Sequence, residues 1–387
     1  MFEFVGKECS RCGACVQVCP VGCISLDGER ARIDSEKCLH CDACRKHCHL
    51  LGQMPLKTVQ KAYVAVAAAH LRPESASGGA FAALASTILE KGGLVFGSAW
   101  ADGAWRAGHI GVESVEDLFK LQGSKYVESD TGNTYVQVKQ ALKDGKKVLF
   151  SGTPCQIAGL YSFLGKPYEN LITVDIVCHG VPKEELFEQY IAYYEQKNGC
   201  KVIKWNFRAH RQGVQGCLGE VSFRKKGNTR TAPVLWNCDT YYFHFMHGTC
   251  YQQRCYSCPY AQRQRVGDIT LGDFWGIEKL FPGEKAGAVS LVLVNSNAGE
   301  SIVHSCRYMS LRSADVEVAC AGNGQLNAPT PKPEEISNRF WQNYDHGGWK
   351  AVDEDFQRHT RLQRVKAWAV YYTPQSLKKW IRKLRSK

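Results

Sequence analysis

Apolar positions are sparse over the first 57 residues and then gather into short dense runs separated by stretches of helical period. Tyr63–Ala69, within the longest clear apolar run (Ala62–Ala69), reads as a strand, Gly79–Lys91 as a helix and Leu94–Trp100 as a second strand. Asn133–Lys143 has helical period, Lys147–Phe150 is strand-like, and a helix begins near Pro154. Leu171–Val177 is the continuous apolar run of a buried strand, and Lys183–Lys197 returns to helical spacing. Asp268–Gly272 and Ala288–Asn295 follow as strands, and Ser296–Met309 as a helix; past about residue 330 the chain turns polar and then helical. Strand–helix alternation of this kind predicts an α/β body behind a small N-terminal domain of another class. At 387 residues there is room for two or three domains.

The poverty of apolar residues before position 57 is explained by cysteine. Cys9, Cys12, Cys15 and Cys19, followed by Pro20, repeat their spacing at Cys38, Cys41, Cys44 and Cys48. A doubled C-x2-C-x2-C-x3-C register is the ligand pattern of a bacterial-type ferredoxin with two [4Fe–4S] clusters, in which each fourth cysteine serves the other cluster. The expected sets are Cys9, Cys12, Cys15 and Cys48 for cluster one, and Cys38, Cys41, Cys44 and Cys19 for cluster two. Zinc knuckles share the C-x2-C spacing but not two complete four-cysteine runs. A domain this small folds around its metals.

Nineteen cysteines with no charged-apolar-small leader at Met1 fit a reducing cytoplasm, because cluster ligands must stay reduced. No apolar run approaches the roughly 20 residues of a membrane span. The formal charge of +12 is local: six basic residues (Lys378, Lys379, Arg382, Lys383, Arg385 and Lys387) lie in the last ten positions. Three clusters, each about −2 with its thiolates, would offset as much again and leave the body near neutral. A general nucleic-acid footprint is therefore not expected. Thr373-Pro374 opens a helix that sets Leu377, Trp380, Ile381 and Leu384 on one face. Such a basic amphipathic segment, residues 374–387, suits either peripheral contact with an anionic membrane or packing on the body.

A second cysteine set lies further on. Cys155, in Gly152-Thr153-Pro154-Cys155-Gln156, and Cys178, in Cys178-His179-Gly180, each follow a strand, where open α/β sheets build sites. Cys255 and Cys258 add a C-x2-C pair, with Cys250 five residues upstream of Cys255. Cys155, Cys178, Cys255 and Cys258 can close on a third [4Fe–4S] cluster; buried structural thiols are the alternative, and Cys250 is a fifth candidate for four positions. Asp268 either orients Arg263 or Arg265 near that cluster or is a satisfied structural carboxylate. His179 is more simply a neighbour of the ligand shell than a proton shuttle.

With Ser77-Gly78-Gly79, Gly123-Ser124-Lys125-Tyr126-Val127 and Asp268-Ile269-Thr270-Leu271-Gly272-Asp273-Phe274-Trp275-Gly276, these motifs occur in an order that resembles the coenzyme F420 hydrogenase/dehydrogenase beta-subunit family. The resemblance covers about residues 1–320, in the bacterial form with a fused N-terminal dicluster ferredoxin. It implies an α+β/α/β chain, with the dicluster ferredoxin domain at 1–57, an α/β body at 58–330 binding flavin (FAD or FMN) and one [4Fe–4S] cluster, and a helical extension at 331–387. Neither a G-x-G-x-x-G fingerprint nor a P-loop is present, so the flavin would be held otherwise. Ser77, Gly78 and Gly79 would seat its phosphate at a helix start, unless Ser77 merely caps that helix. Ser124, Lys125 and Tyr126 would supply a cation and an aromatic face.

The implied activity is that of a flavin-dependent iron–sulfur oxidoreductase. It would pass electrons between a hydride-exchanging small molecule or deazaflavin and the clusters, and on to a ferredoxin or another redox partner protein. The alternative is an electron-carrier or adaptor subunit with no substrate of its own. No catalytic acid or base is assigned.

Overall fold

The computed structural model describes residues 6, 8–28, 30–209, 218–284, 286 and 288–374. The expected amphipathic segment at 374–387 lies outside them, save its first residue. The N-terminal part holds α1 (Ala14–Val18), the hairpin β1 (Ile24–Asp27) and β2 (Arg30–Ile33), and α2 (Ala43–Lys46). Its small core is built from Cys9, Cys15, Cys23, Ile24, Ala31 and Ile33, so thiols replace the aliphatic side chains a domain of this size lacks.

The body begins with β3 (Lys61–Ala67), α3 (Ala80–Leu89), β4 (Leu94–Trp100), β5 (Ala107–Val112) and β6 (Ser129–Asp130). It continues through α4 (Thr134–Lys143), β7 (Val148–Gly152), α5 (Pro154–Leu164) and β8 (Leu171–Ile176). Next come α6 (Glu184–Asn198), the antiparallel strands β9 (Lys201–Asn206), β10 (Leu218–Lys225) and β11 (Asn228–Leu235), and α7 (Thr240–Met246). The body resumes with β12 (Ile269–Asp273), β13 (Ser290–Val294), α8 (Asn297–Ser305), β14 (Met309–Ala314) and α9 (Val316–Ala321), and α10 (Glu334–Tyr372) follows. The stretch expected as one helix to Met309 stops at Ser305; Met309 instead starts β14, paired antiparallel with β3.

Two compact units result. One comprises residues 1–184 and 251–331, the other 185–250 and 332–387, so the cluster domain and the body fall in one unit and residues 185–250 pair with the C-terminal extension. The second unit has an aromatic core: Phe187 meets Tyr241, Trp205 and Phe207, and Tyr190 meets Trp349. Asp353, buried in it, takes hydrogen bonds from Thr240, Tyr193 and Lys197. A kink at Gly347 and Gly348 divides α10.

Among the described residues of the first unit, nine strands form one sheet in the order β14-β3-β13-β12-β8-β7-β4-β5-β6. The four inner strands β12, β8, β7 and β4 run parallel, and their neighbours β13 and β5 antiparallel. Period two sorts the strands onto two faces. Val95, Leu149 and Ile172 pack with α3 and α8, while Leu94, Phe96, Val148, Phe150 and Leu171 pack with α4 and α5. Cys12 and Ala14 join that second core, which anchors the cluster domain on α5.

Candidate iron–sulfur site

The eight N-terminal cysteines divide between two cavities. Cys9, Cys12, Cys15 and Cys48 line one, with Leu26, Ala31, His47 and Leu50. Cys19, Cys38, Cys41 and Cys44 line the other, with Pro20, Val21, Leu39 and Asp42. Each run therefore sends its fourth cysteine across to the other cavity. Cys23, which the spacing argument passes over, is a fifth thiol of the second cavity, its Sγ 3.5 Å from that of Cys19. Only its place at the end of the Pro20–Gly22 turn hints at this in the sequence.

The second cysteine set is assembled by the sheet. Thr153 directly follows β7 and caps α5 through a capping box with Gln156, with Pro154 in the first turn, which leaves Cys155 in that turn. Thr153 Oγ1 lies 3.2 Å from Cys155 Sγ. Cys178 stands two residues past β8, Cys255 lies within a short 3-10 turn (Gln253–Ser257) and Cys258 caps its C-terminal end. Burial raises the pKa of Cys155 to about 12, with Cys258 and Cys255 adding to it, and pushes that of Cys178 well up, with Cys255, Cys155 and Cys258 adding to it. Half-buried thiols that raise one another's pKa are costly to ionise without a cation, and iron in a cluster supplies one. The donor set thus fits a cluster. Cys250 is set apart: it is fully buried, and burial raises its pKa with no contribution from another thiol. Among the described residues, no three Cys, His, Asp or Glu side chains converge to hold a single metal ion.

The two cysteine sets abut. Gly159 lies one turn (about 6 Å) along α5 from Cys155 and on the same face. A Cβ at Gly159 would stand 2.7 Å from both Cβ and Sγ of Cys12 and 3.0 Å from Tyr135 Oη. Only glycine lets α5 press this closely on the first cavity. Gly159→Ala is expected to force the helix and the Cys12 loop apart and to destabilise by about 1–3 kcal/mol, read as a lowered denaturation midpoint. His49, next to Cys48, is buried between Ser10 Oγ (2.7 Å from Nε2) and Tyr260 Oη at Nδ1. Burial lowers its pKa to about 4, so the ring is neutral, donating through one nitrogen and accepting through the other. Tyr260 lies two residues past Cys258, so this bond ties the first cavity to the second cysteine set.

Behind the second set, Arg265 and Asp175 form a buried ion pair at 3.1 Å, with side chains 1% and 0% exposed. Asp175 also accepts from the backbone N–H groups of Val266 and Gly267. Asp268 is instead satisfied by Lys57, Ser296 and Thr173, so it is structural, and the partner of Arg265 is Asp175. Arg263 pairs with Glu317 at the surface. His179 is exposed, and its carbonyl accepts from Thr330.

The residues expected to hold a flavin have other employment. Ser77 does not cap α3: its Oγ donates to Val289 O, and Gly79 occupies the cap with φ 83°. A Cβ at Gly78 would stand 2.4 Å from Ala65 O and 2.5 Å from Ser290 N, so this glycine exists to lie against the sheet. The N–H groups of Gly78 and Ala80 are taken by Ser290 Oγ. Lys125 donates to Ser98 O, Gln122 O and Lys120 O, which uses all three ammonium protons, and burial lowers its pKa to about 7. Ser124 and Tyr126 are half-buried. As placed here, these residues do not fit a flavin seat.

Residues 145–317 match the family described as the C-terminal part of the beta subunit of coenzyme F420 hydrogenase/dehydrogenase. This stretch resembles that family's C-terminal domain. Residues 8–50 match the 4Fe–4S dicluster domain, and they are the segment in which the two cysteine cavities form. Over 179 residues, 45% of this chain, it is 31% identical to a coenzyme F420-dependent sulfite reductase of Methanocaldococcus jannaschii. That alignment spans 28% of the reductase's length. A ferredoxin-like protein in the nif region of Sinorhizobium fredii is 42% identical over 40 residues, 10% of this chain and 62% of that protein. Among solved structures, a chain of the F420-reducing [NiFe] hydrogenase complex from Methanosarcina barkeri, studied by xenon derivatization, aligns with a TM-score of 0.45 at 16% identity. The alignment covers 75% of this chain and 95% of that one. Among the described residues, no helix is long and apolar enough to cross a membrane.

Proposed function

We propose that this chain is an iron–sulfur oxidoreductase that passes electrons between a hydride-exchanging organic molecule, of the deazaflavin class, and a redox partner protein. The observation that carries the proposal is the contact at Gly159, where the helix bearing Cys155 meets Cys12. Cys155, Cys178, Cys255 and Cys258 would hold one [4Fe–4S] cluster, Cys9, Cys12, Cys15 and Cys48 a second, and Cys19, Cys38, Cys41 and Cys44 a third. When bound, each carries single electrons.

What the chain does is set the three seats in sequence. The strand ends of β7 and β8 hold the body's seat, α5 and the His49–Tyr260 bond hold the middle seat against it, and the outer seat opens toward solvent. At that outer seat Cys41 is exposed, and Leu39 and Val21 are 64% and 41% exposed, as suits the approach of a protein partner. One relative supports the organic end of the path, since the name of the sulfite reductase includes F420. A flavin, FAD or FMN, belongs to the reading as the two-electron partner that the family resemblance implies. The residues offered for it are engaged elsewhere, and no part of the path is assigned to it.

Mixing the anaerobically prepared protein with reduced deazaflavin should bleach the visible absorbance of the clusters within seconds, whereas NADH serves as a comparison donor. No bleaching by any hydride donor, together with a stable complex with a separate catalytic protein, would favour an electron-carrier role instead. Membrane contact through residues 374–387 is a separate proposal. It predicts that truncation after Thr373 abolishes co-sedimentation with anionic vesicles, and unchanged co-sedimentation would refute it.

A further inference from the structure

Between the body's seat and the middle seat lies a buried carboxylate that the proposed electron path does not itself require. Glu128 is 8% exposed. Arg11 Nε reaches its two oxygens at 3.2 and 3.1 Å, Arg254 Nη2 pairs with Oε1, and Gln252 Nε2 donates to Oε2 at 2.6 Å. Arg254 also donates to Gln252 Oε1, while Arg11 Nη1 donates to Leu26 O and Gly28 O. Both arginine side chains are themselves about 9% exposed. In the sequence Arg11 directly precedes Cys12, and Arg254 directly precedes Cys255. One carboxylate therefore joins the ligand loop of the middle seat to that of the body's seat, as Cys12–Arg11–Glu128–Arg254–Cys255.

We infer that Glu128 is a positioning residue that sets the reduction potentials of the two clusters it lies between, by holding two guanidiniums beside them and cancelling part of their field. The inference rests on the three-seat reading above. The buried trio carries a net charge of about +1 in a low-dielectric interior, where a unit charge acts over a longer range than in water. Adding an electron to a cluster is favoured by positive potential, so the sign of each substitution follows from the charge removed. Glu184 and Asp130 stand near enough to matter. Burial and then Glu128 raise the pKa of Glu184, against the opposing pull of Arg11 and Arg106. Their fields are common to every variant. Cluster potentials are known to follow net charge and hydrogen bonding near the sulfurs.

The test is an anaerobic redox titration of wild-type, Glu128→Gln and Arg11→Gln holoproteins, followed by EPR of each cluster. Glu128→Gln keeps the side chain's shape and should raise the potentials of the middle and body clusters, by about a tenfold change in the reduction equilibrium (59 mV for a one-electron couple). Arg11→Gln should lower the middle cluster's potential by a similar factor. The cluster at Cys19, Cys38, Cys41 and Cys44 should keep its wild-type potential in both. Arg254→Gln repeats the charge test from the other side should either protein load poorly. Shifts of the same sign in the glutamate and arginine variants, as a packing defect would give, overturn the inference, and so do unchanged potentials. Iron content separates this from failure of the underlying reading. About eight irons per wild-type chain would remove the body cluster, yet the opposite signs at the middle cluster would still decide the role of Glu128.

Discussion

Replacing Cys155 with serine is expected to cost about four of about twelve irons per chain and to leave the two N-terminal clusters loaded. Serine is a slightly smaller side chain of the same shape, and Cys155 belongs neither to the capping box of α5 nor to its Gly159 contact with Cys12, so both are retained. It loses the thiolate, because a hydroxyl ionises far less readily than a thiol. None of the eight cysteines around the two N-terminal cavities is touched. Electron transfer from a hydride donor to the N-terminal clusters should fall by orders of magnitude, while dithionite still reduces them directly. Iron and EPR measurements on the purified variant check both halves. Full iron content would show that Cys155 is a buried structural thiol.

The largest expected effect on stability is at Asp175. Asp175→Asn leaves the Arg265 guanidinium buried without a counter-charge and turns an amide N–H2 toward the donors of Val266 and Gly267. Breaking a buried pair by removing one partner costs about 3–5 kcal/mol. A fall of that size should appear as a large drop in the denaturation midpoint. Two apolar residues of similar volume, Asp175→Leu with Arg265→Met, should recover much of it, because the double change leaves no orphan charge. A double variant as unstable as the sum of the single changes would refute this account of the pair.

Periodicity and spacing carried far in this chain, for identifiable reasons. The parallel strands β7 and β8 are buried on both faces, so their apolar runs are continuous and visible in sequence. The crossed use of Cys19 and Cys48 follows from spacing, because three thiols two residues apart exhaust one cavity. The weak points were local signals with two meanings. Ser77 before two glycines reads as a cap or an anion seat, but Gly78 serves a close crossing over Ala65 and over Ser290, which is far off in sequence. Lys125 reads as a free cation until the carbonyls of Ser98, Lys120 and Gln122 surround it. The segment 201–235 escaped because β10 and β11 are largely polar on their outer face and carry little alternation to read. Asp175, Glu128 and His49 each act through partners more than 80 residues away, at Arg265, Arg11, Arg254 and Tyr260. Arg11 and Arg254 did leave a trace, since each sits directly before a cysteine.

The most direct measurement is iron, acid-labile sulfide and released flavin per chain, on protein purified without oxygen. Three seats predict about twelve irons and about twelve sulfides, four of each per cluster. About eight of each, with no flavin, would contradict the body's cluster seat and reduce the chain to a dicluster electron carrier.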